Sequence, residues 1–438
     1  MKRATRIPFS NLKFEQWQNL ILIAILFYYL FQFGFAIGKN GFLVWYGADH
    51  LAFYSAGKIA DETGFANIYD LEKLESIQAE ELNKRGLLEI IGGSKFDPTP
   101  VPVLSFFIIP FQLLSRVELE LSYWIWTAAN LALLAGYLLF FLNKVRPKLP
   151  AAGSDRKLVF IMLLSFPAIE TLIWGQVEVF LLICTGEFIR SALNRKPFLS
   201  GLWLGGLLLK PQILILVVPV LLILRYWKPL MGFAVSSSII FFSSLALSGI
   251  NGMKGMIDLW TGYAGGMATN WPDRMINWRM VGVNLNALLN TQLGWVLTGL
   301  GVVLTMLAVH FLVKNRPVYG STQWVMVMLG VFSATLALTW HSHYHMALAL
   351  TPFLIYGAVY KLLSEKILFL WVSAVPIATL GLMIVSLLVL LLTGINISVY
   401  RGILAGLIGF SLSLAILKSV YQACNKSFEE QPTANYSS

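Results

Sequence analysis

Leu119–Leu142, LELSYWIWTAANLALLAGYLLFFL, carries a single charge, Glu120, and runs straight into Asn143–Lys157, NKVRPKLPAAGSDRK, with Lys144, Arg146, Lys148, Arg156 and Lys157. An apolar run of about 20 residues is long enough to cross a bilayer as a helix. Lys and Arg beside a crossing mark its inner face. The pair therefore defines one crossing and its direction, from outside at Leu119 to inside at Leu142. Comparable runs recur from Trp17 to Lys418. Apolar residues make up 57% of the chain, charged residues 12%, and the mean hydropathy is +0.71, where a soluble domain has about 25% charged residues. The class is an all-α polytopic membrane protein forming a single transmembrane domain over residues 1–438. The ten-residue alternating segments of a membrane β-barrel are absent.

The formal net charge is +10, and loop charges that orient the helices account for it. The basic residues form no nucleic-acid-binding motif, so no nucleic-acid partner is expected. Cys184 and Cys424 make no CxxC pair, which argues against a disulfide framework or a zinc knuckle. The basic start leads into a long apolar run without a clear small-residue cleavage site, read as a retained first helix.

Trp17–Ile37 is that helix, with Lys2, Arg3, Arg6 and Lys13 before it on the inner side. A first outer loop, residues 39–100, follows. It contains DLEKLESIQAEELNKRGLLEII (Asp70–Ile91), whose Leu71, Leu74 and Ile77 at helical spacing predict a helix lying on the membrane surface. Pro100–Ser115 is short and interrupted by Pro102 and Pro110, so it is read as a re-entrant or interfacial element. Further runs alternate: Leu158–Trp174 out, Gln176–Leu193 in, Phe198–Leu209 out, Ile213–Tyr226 in and Leu230–Ile250 out. A second outer loop, residues 251–282, has its polar part at Asn251–Arg279. Leu293–Val313 returns, followed by Gln323–Trp340, Met346–Tyr360, Ile367–Leu392 and Tyr400–Leu417. The total is about twelve spans with both termini inside.

Polar residues inconsistent with filler gather on the outer side of this topology. Gly41–Gly57, GFLVWYGADHLAFYSAG, places Asp49 just beyond the first helix among Trp45, Tyr46, His50 and Tyr54. Trp174-Gly175-Gln176-Val177-Glu178, Lys210-Pro211-Gln212 and His341-Ser342-His343-Tyr344-His345 fall on the same side. Polar groups at membrane depth are costly and usually tied to a cavity or a function. Each member also has an ordinary reading. Asp49 is a favoured helix N-cap type; Lys210 is placed to snorkel; Gln176 and Glu178 suit a polar turn; Arg274 and Arg279 suit a solvated loop. With Trp260, Trp271 and Trp278 those arginines also fit an anionic headgroup site with an aromatic rim. The alternating histidines suggest a metal, but helical spacing leaves only His341 and His345 on one face, without a third ligand.

Asp49-x-x-x-Phe53-Tyr54-x-Ala56-Gly57, Ile68-Tyr69-Asp70 and Phe96-x-x-x-Pro100-x-Pro102 together resemble the first outer loop of the GT-C integral-membrane glycosyltransferases. Among these the chain resembles glycosyltransferase family 87, the polyprenyl-phosphate-mannose-dependent α-mannosyltransferases. Trp174-Gly175-Gln176, Lys210-Pro211 and Ser342-His343-Tyr344-His345 match later family landmarks in order, from about residue 20 to 400. Glu178 stands where the family often has Asn, and Thr99-Pro100-Val101-Pro102 where it has a Tyr-Pro-Pro-like element.

The resemblance implies a GT-C fold and inverting transfer of one sugar from a polyprenyl-phosphate donor to the hydroxyl of a glycan or glycolipid acceptor. The reaction would take place at the outer face of the cell's inner membrane. Asp49 would be the general base, with His345 or His343 orienting it or the acceptor, or binding phosphate when protonated. Lys210, Arg279 and Arg274 would hold the donor phosphate. His50, Tyr54, Gln176, Glu178 and Trp174 would contact sugar or acceptor. No cofactor or metal is expected. A donor carrying another pentose or hexose, or a lipid-linked-sugar flippase or transporter, are the alternatives; transporters tend to show repeated halves and helices broken at mid-membrane, and no internal repeat stands out.

Overall fold

The computed structural model describes residues 14–38, 42–43, 46–88, 96–145, 155–264, 271–397 and 400–429. Trp45, the basic residues before position 14, and Arg146 and Lys148 lie outside the described residues. Among those described there is no β-sheet, only an isolated bridge between Phe42 and Tyr46. The α-helices in chain order are α1 Phe14–Gly38, α2 Ala48–Thr63, α3 Leu71–Asn83, α4 Ile109–Leu114, α5 Leu119–Val145, α6 Asp155–Leu163, α7 Phe166–Trp174, α8 Glu178–Leu193 and α9 Pro197–Gly205. They continue as α10 Val217–Ile223, α11 Trp227–Ala264, α12 Trp278–Leu289, α13 Leu293–Lys314, α14 Thr322–Leu338, α15 Thr351–Val359, α16 Glu365–Thr393 and α17 Arg401–Glu429.

Among the described residues six helices are long and apolar enough to cross a membrane: Gln16–Gly34, Leu119–Val145, Trp227–Gly262, Leu293–Lys314, Lys366–Thr393 and Arg401–Cys424. The run expected as one span at Leu158–Trp174 is a pair of helices bent by 51°, with Pro167 at the start of the second. Other expected crossings are shorter apolar helices, Pro197–Leu209, Pro211–Ile223, Thr322–Leu338 and Tyr344–Val359. A helix rises 1.5 Å per residue and the hydrocarbon core is about 30 Å thick, so these do not reach across alone. Thr322–Leu338 and Tyr344–Val359 are buried within the bundle, whereas Ile215 and Ile223 of Pro211–Ile223 are exposed, as are Val303, Leu304, Leu388 and Leu391 on the longer helices. The protein is an all-α polytopic membrane protein.

At the centre is α14, in which every side chain from Trp324 to Ala337 is buried. Ser321 starts it by accepting a hydrogen bond from the Trp324 amide at 3.1 Å. One end of α14 abuts the basic loops: Arg195 donates to the Tyr319 carbonyl at 3.0 Å, and the Tyr226 hydroxyl bonds the neighbouring Pro317 carbonyl. Tyr360 reaches the Val145 carbonyl at the same end, at 3.0 Å. The other end of α14 leads into His341–His345. Helices of this length separate the two ends by about 25 Å.

Two expectations change. The amphipathic helix, capped at its start by the Asp70 carboxylate, ends at Asn83, and its Leu74 and Leu82 are buried within the protein. The second outer loop is largely helical. α11 continues to Ala264 through a break at Gly249, whose φ of 64° and ψ of −177° are non-helical, and α12 begins at Trp278. Pro100–Ser115 forms a 3-10 turn (Ser105–Ile108) and α4, and is held by hydrogen bonds from Ser105 to Ser244 and Ser248 of α11.

Candidate active site

The site is assembled where helix ends from separate parts of the chain meet. Gly47, with φ 70°, precedes α2; its amide donates to the Ile173 carbonyl at 2.8 Å and its carbonyl accepts from Leu51. Gly175 (φ 70°) closes α7 in the left-handed conformation that glycine adopts without penalty. Two side chains of α5 clamp this turn. The Tyr123 hydroxyl bonds the Leu172 and Ile173 carbonyls, both at 3.1 Å, and the Trp126 indole bonds the Gly175 and Gln176 carbonyls at 3.0 and 3.2 Å. The first turn of α2 is thereby registered against the 175–178 turn.

Asp49 lies in that first turn but does not cap the helix. Its Oδ2 instead accepts from Nε2 of Gln176 at 2.6 Å. Gln176 Oε1 accepts from the Lys210 ammonium at 3.1 Å. Lys210 stands between two 3-10 turns in a non-helical conformation, with φ −137° and ψ 79°, the α region being disfavoured before proline. It also forms an ion pair with Oε1 of Glu178, and the same oxygen pairs with His345 Nδ1 at 2.7 Å. The result is one continuous chain, Asp49–Gln176–Lys210–Glu178–His345, drawn from α2, the turn after α7, the break between α9 and α10, α8 and the segment after α14.

Desolvation of the partly exposed Asp49 raises its carboxyl above the usual carboxylate value, opposed by His345, the Gln176 hydrogen bond and Lys210. His341 and His343 flank the chain, the first edge-on to the second at 4.7 Å between ring centroids. His343 stacks on His345 at 5.7 Å. They follow a non-helical bend, so the helical-face argument for metal ligation does not apply to them. Burial, reinforced by nearby cations, lowers His341 to about 3 and His343 well below the ordinary value. Both rings are therefore held toward the neutral form. Among the described residues no three His, Cys, Asp or Glu side chains converge as a metal site.

The arginines lie beyond the histidines. Arg279 stacks over the Trp340 ring at 4.0 Å and Arg274 over Trp271 at 3.7 Å. Asn277 fastens this segment to the end of α14 through the Thr339 carbonyl at 2.7 Å, and the Ile276 amide donates to the Ser342 carbonyl at 2.9 Å. The aromatic partners of the guanidinium groups are Trp271 and Trp340; Trp260 instead bonds the Pro102 carbonyl and Trp278 bonds Thr305.

Several expected sugar contacts are placed elsewhere. His50 is 0% exposed and packs beneath Gly175, with Nε2 bonded to Ser122 Oγ at 2.9 Å; burial lowers it to about 3. Tyr54 is buried with its hydroxyl on the Val117 carbonyl. Glu178 is 0% exposed and its Oε1 pairs with Lys210 and His345. Trp174 remains partly exposed at the end of α7. Glu170, one turn before it, was missed: it bonds Trp174 and lies within electrostatic reach of Asp49, Glu178 and Arg401. Its signal was a lone carboxylate in the apolar run PAIETLIW.

The site is thus a chain of carboxylate, amide and cation contacts at one end of a membrane-embedded helical bundle. The chain belongs to glycosyltransferase family 87, whose family model matches residues 101–339. That stretch contains Gln176, Glu178, Lys210, Arg274 and Arg279; Asp49 and His345 lie outside it and join it through the contacts above. No curated protein and no solved structure matches the chain.

Proposed function

We propose that the protein transfers a single sugar, mannose by the family resemblance, from a polyprenyl-phosphate donor to an acceptor hydroxyl on a glycan or glycolipid, with inversion. The observation that carries this reading is the placement of the Asp49 carboxylate. It opens a helix, is aligned by Gln176 and lies at the head of a cluster of cations. The acceptor oxygen attacks the anomeric carbon as the bond from that carbon to the phosphate oxygen breaks. Asp49 takes the hydroxyl proton, and polyprenyl phosphate leaves already ionised, so no general acid is needed. One base on the face opposite the leaving group produces inversion.

Arg279 and Arg274 are the stronger candidates for the donor phosphate, because Lys210 is already engaged by Glu178 and Gln176. Planar guanidinium groups suit phosphate oxygens, and these cations supply the charge compensation that the reaction needs without a metal. The basic loops gather at the end of the bundle opposite the site. By the positive-inside rule that end is cytoplasmic and the site faces outward, with the inner membrane as the location.

The test is transfer from a panel of radiolabelled polyprenyl-phosphate sugars by wild type and Asp49→Asn, with folding checked by size exclusion. Transfer by wild type, reduced by at least about a hundredfold in the variant, supports the reading. Transfer that survives Asp49→Asn removes Asp49 as base, and preference for another sugar replaces mannose. Absence of transfer together with counterflow of a lipid-linked sugar in proteoliposomes replaces the enzyme with a flippase.

A further inference from the structure

Glu178 departs most from its expected part. It begins α8 and is fully enclosed. Lys210 and His345 both use Oε1, while Oε2 is buried without a hydrogen-bonding partner. A buried carboxylate persists when an adjacent cation compensates it, and Lys210, a donor with no acceptor capacity, is that cation. An ionised carboxylate only accepts hydrogen bonds. The imidazole nitrogen facing it, Nδ1 at 2.7 Å, must therefore carry its proton, and a neutral ring then has its lone pair on Nε2. The His343 ring stacked at 23° against His345 restrains rotation that would exchange the two nitrogens.

We propose that Glu178 is a positioning residue: pinned by Lys210, it holds His345 with the proton on Nδ1 and so presents Nε2 as a hydrogen-bond acceptor for a substrate hydroxyl. The consequence for turnover rests on the transferase reading above; the tautomer itself does not. The proton released in the reaction still goes to Asp49. His345 aligns the hydroxyl, and Glu178 acts only through His345. Lys210 serves first as the counter-cation of this pair.

The test begins with wild-type full-length protein labelled with 15N-histidine, in alkaline buffer, with Glu178 untouched. The His345 signals are assigned by their loss in His345→Gln. The expected spectrum has a protonated Nδ1 and a lone-pair Nε2; the reverse overturns the proposal without any Glu178 variant having to fold. Glu178→Leu removes the acceptor, and His345 should then move toward the Nε2-protonated form; an unchanged tautomer overturns the proposal. In turnover, Glu178→Leu and His345→Gln should each lower kcat by about a hundredfold, the cost of misplacing a reacting group. The double variant should be no worse than either single one, as expected of residues acting as a unit; multiplicative losses overturn the proposal. A wild-type protein that transfers no sugar would sink the transferase reading and leave the spectral result to decide the tautomer.

Discussion

The side-chain amide of Gln176 donates to the carboxylate of Asp49 across 2.6 Å, joining the first outer loop to the turn that opens α8. Its orientation is dictated by chemistry. Asp49 can only accept and Lys210 can only donate, so the nitrogen faces the first and the oxygen the second. Gln176→Leu removes both bonds without adding charge. It is expected to lower kcat by roughly tenfold or more, the effect of unpairing buried polar groups, while the folded fraction on size exclusion stays near wild type.

The pH dependence follows from Asp49. Burial raises its carboxyl, and a base must be ionised to act, so kcat should rise with pH through a limb above the ordinary carboxylate range. Asp49→Asn should remove that limb along with most of the activity. For stability the sign is opposite. A group whose folded pKa is raised contributes stability that is full below its unfolded value of about 3.9 and is lost as pH rises through the folded value. A kcat profile flat from pH 4 upward would contradict this assignment.

Stability and chemistry separate behind the site. Ser122→Ala leaves His50 Nε2 buried and unpaired, at a cost of about 1–3 kcal/mol. It should lower the melting temperature and leave kcat per folded molecule unchanged. Gly175→Ala should do more. The residue adopts a φ of +70°, and a new Cβ would lie 2.6 Å from Cβ of His50. The backbone penalty alone is about 1–2 kcal/mol, and movement of this turn displaces Gln176, so stability and kcat should fall together.

The proposed function gives the donor phosphate to the arginines. Arg279→Ala should raise donor KM by roughly ten- to a hundredfold, the range for hydrogen bonds to charged groups, with a smaller change in kcat. An unaltered KM would return the phosphate to Lys210. Turnover should also persist after treatment with EDTA, and its loss with recovery on adding a divalent cation would bring a metal into the mechanism.

Much of this was legible in the sequence because lipid imposes simple rules. Apolar length and the side on which Lys and Arg fall placed Asp49, Gln176, Lys210 and His345 at one end of the bundle before any contact was known. Helix ends enclosed by other helices were less legible. Within Leu158–Trp174 only Pro167 marks the 51° bend, and nothing local separates a surface helix from α3, whose leucines pack on protein. The roles of polar residues were the hardest to read. His50 and His345 look alike as letters, yet one is bonded to Ser122 behind the turn and the other to Glu178 within the chain of polar contacts. That distinction depends on which α5 side chains meet the 172–176 turn, a long-range matter.

The Gln176 bridge also acts as a proton insulator. A carboxylate or an imidazole between Lys210 and Asp49 would offer a path along which the ammonium could neutralise the base. A primary amide transmits polarisation through its two hydrogen bonds but does not itself ionise in the working pH range. Asp49 thus feels the positive charge of Lys210 without having that proton available to it, as the proposed role of Asp49 as base requires.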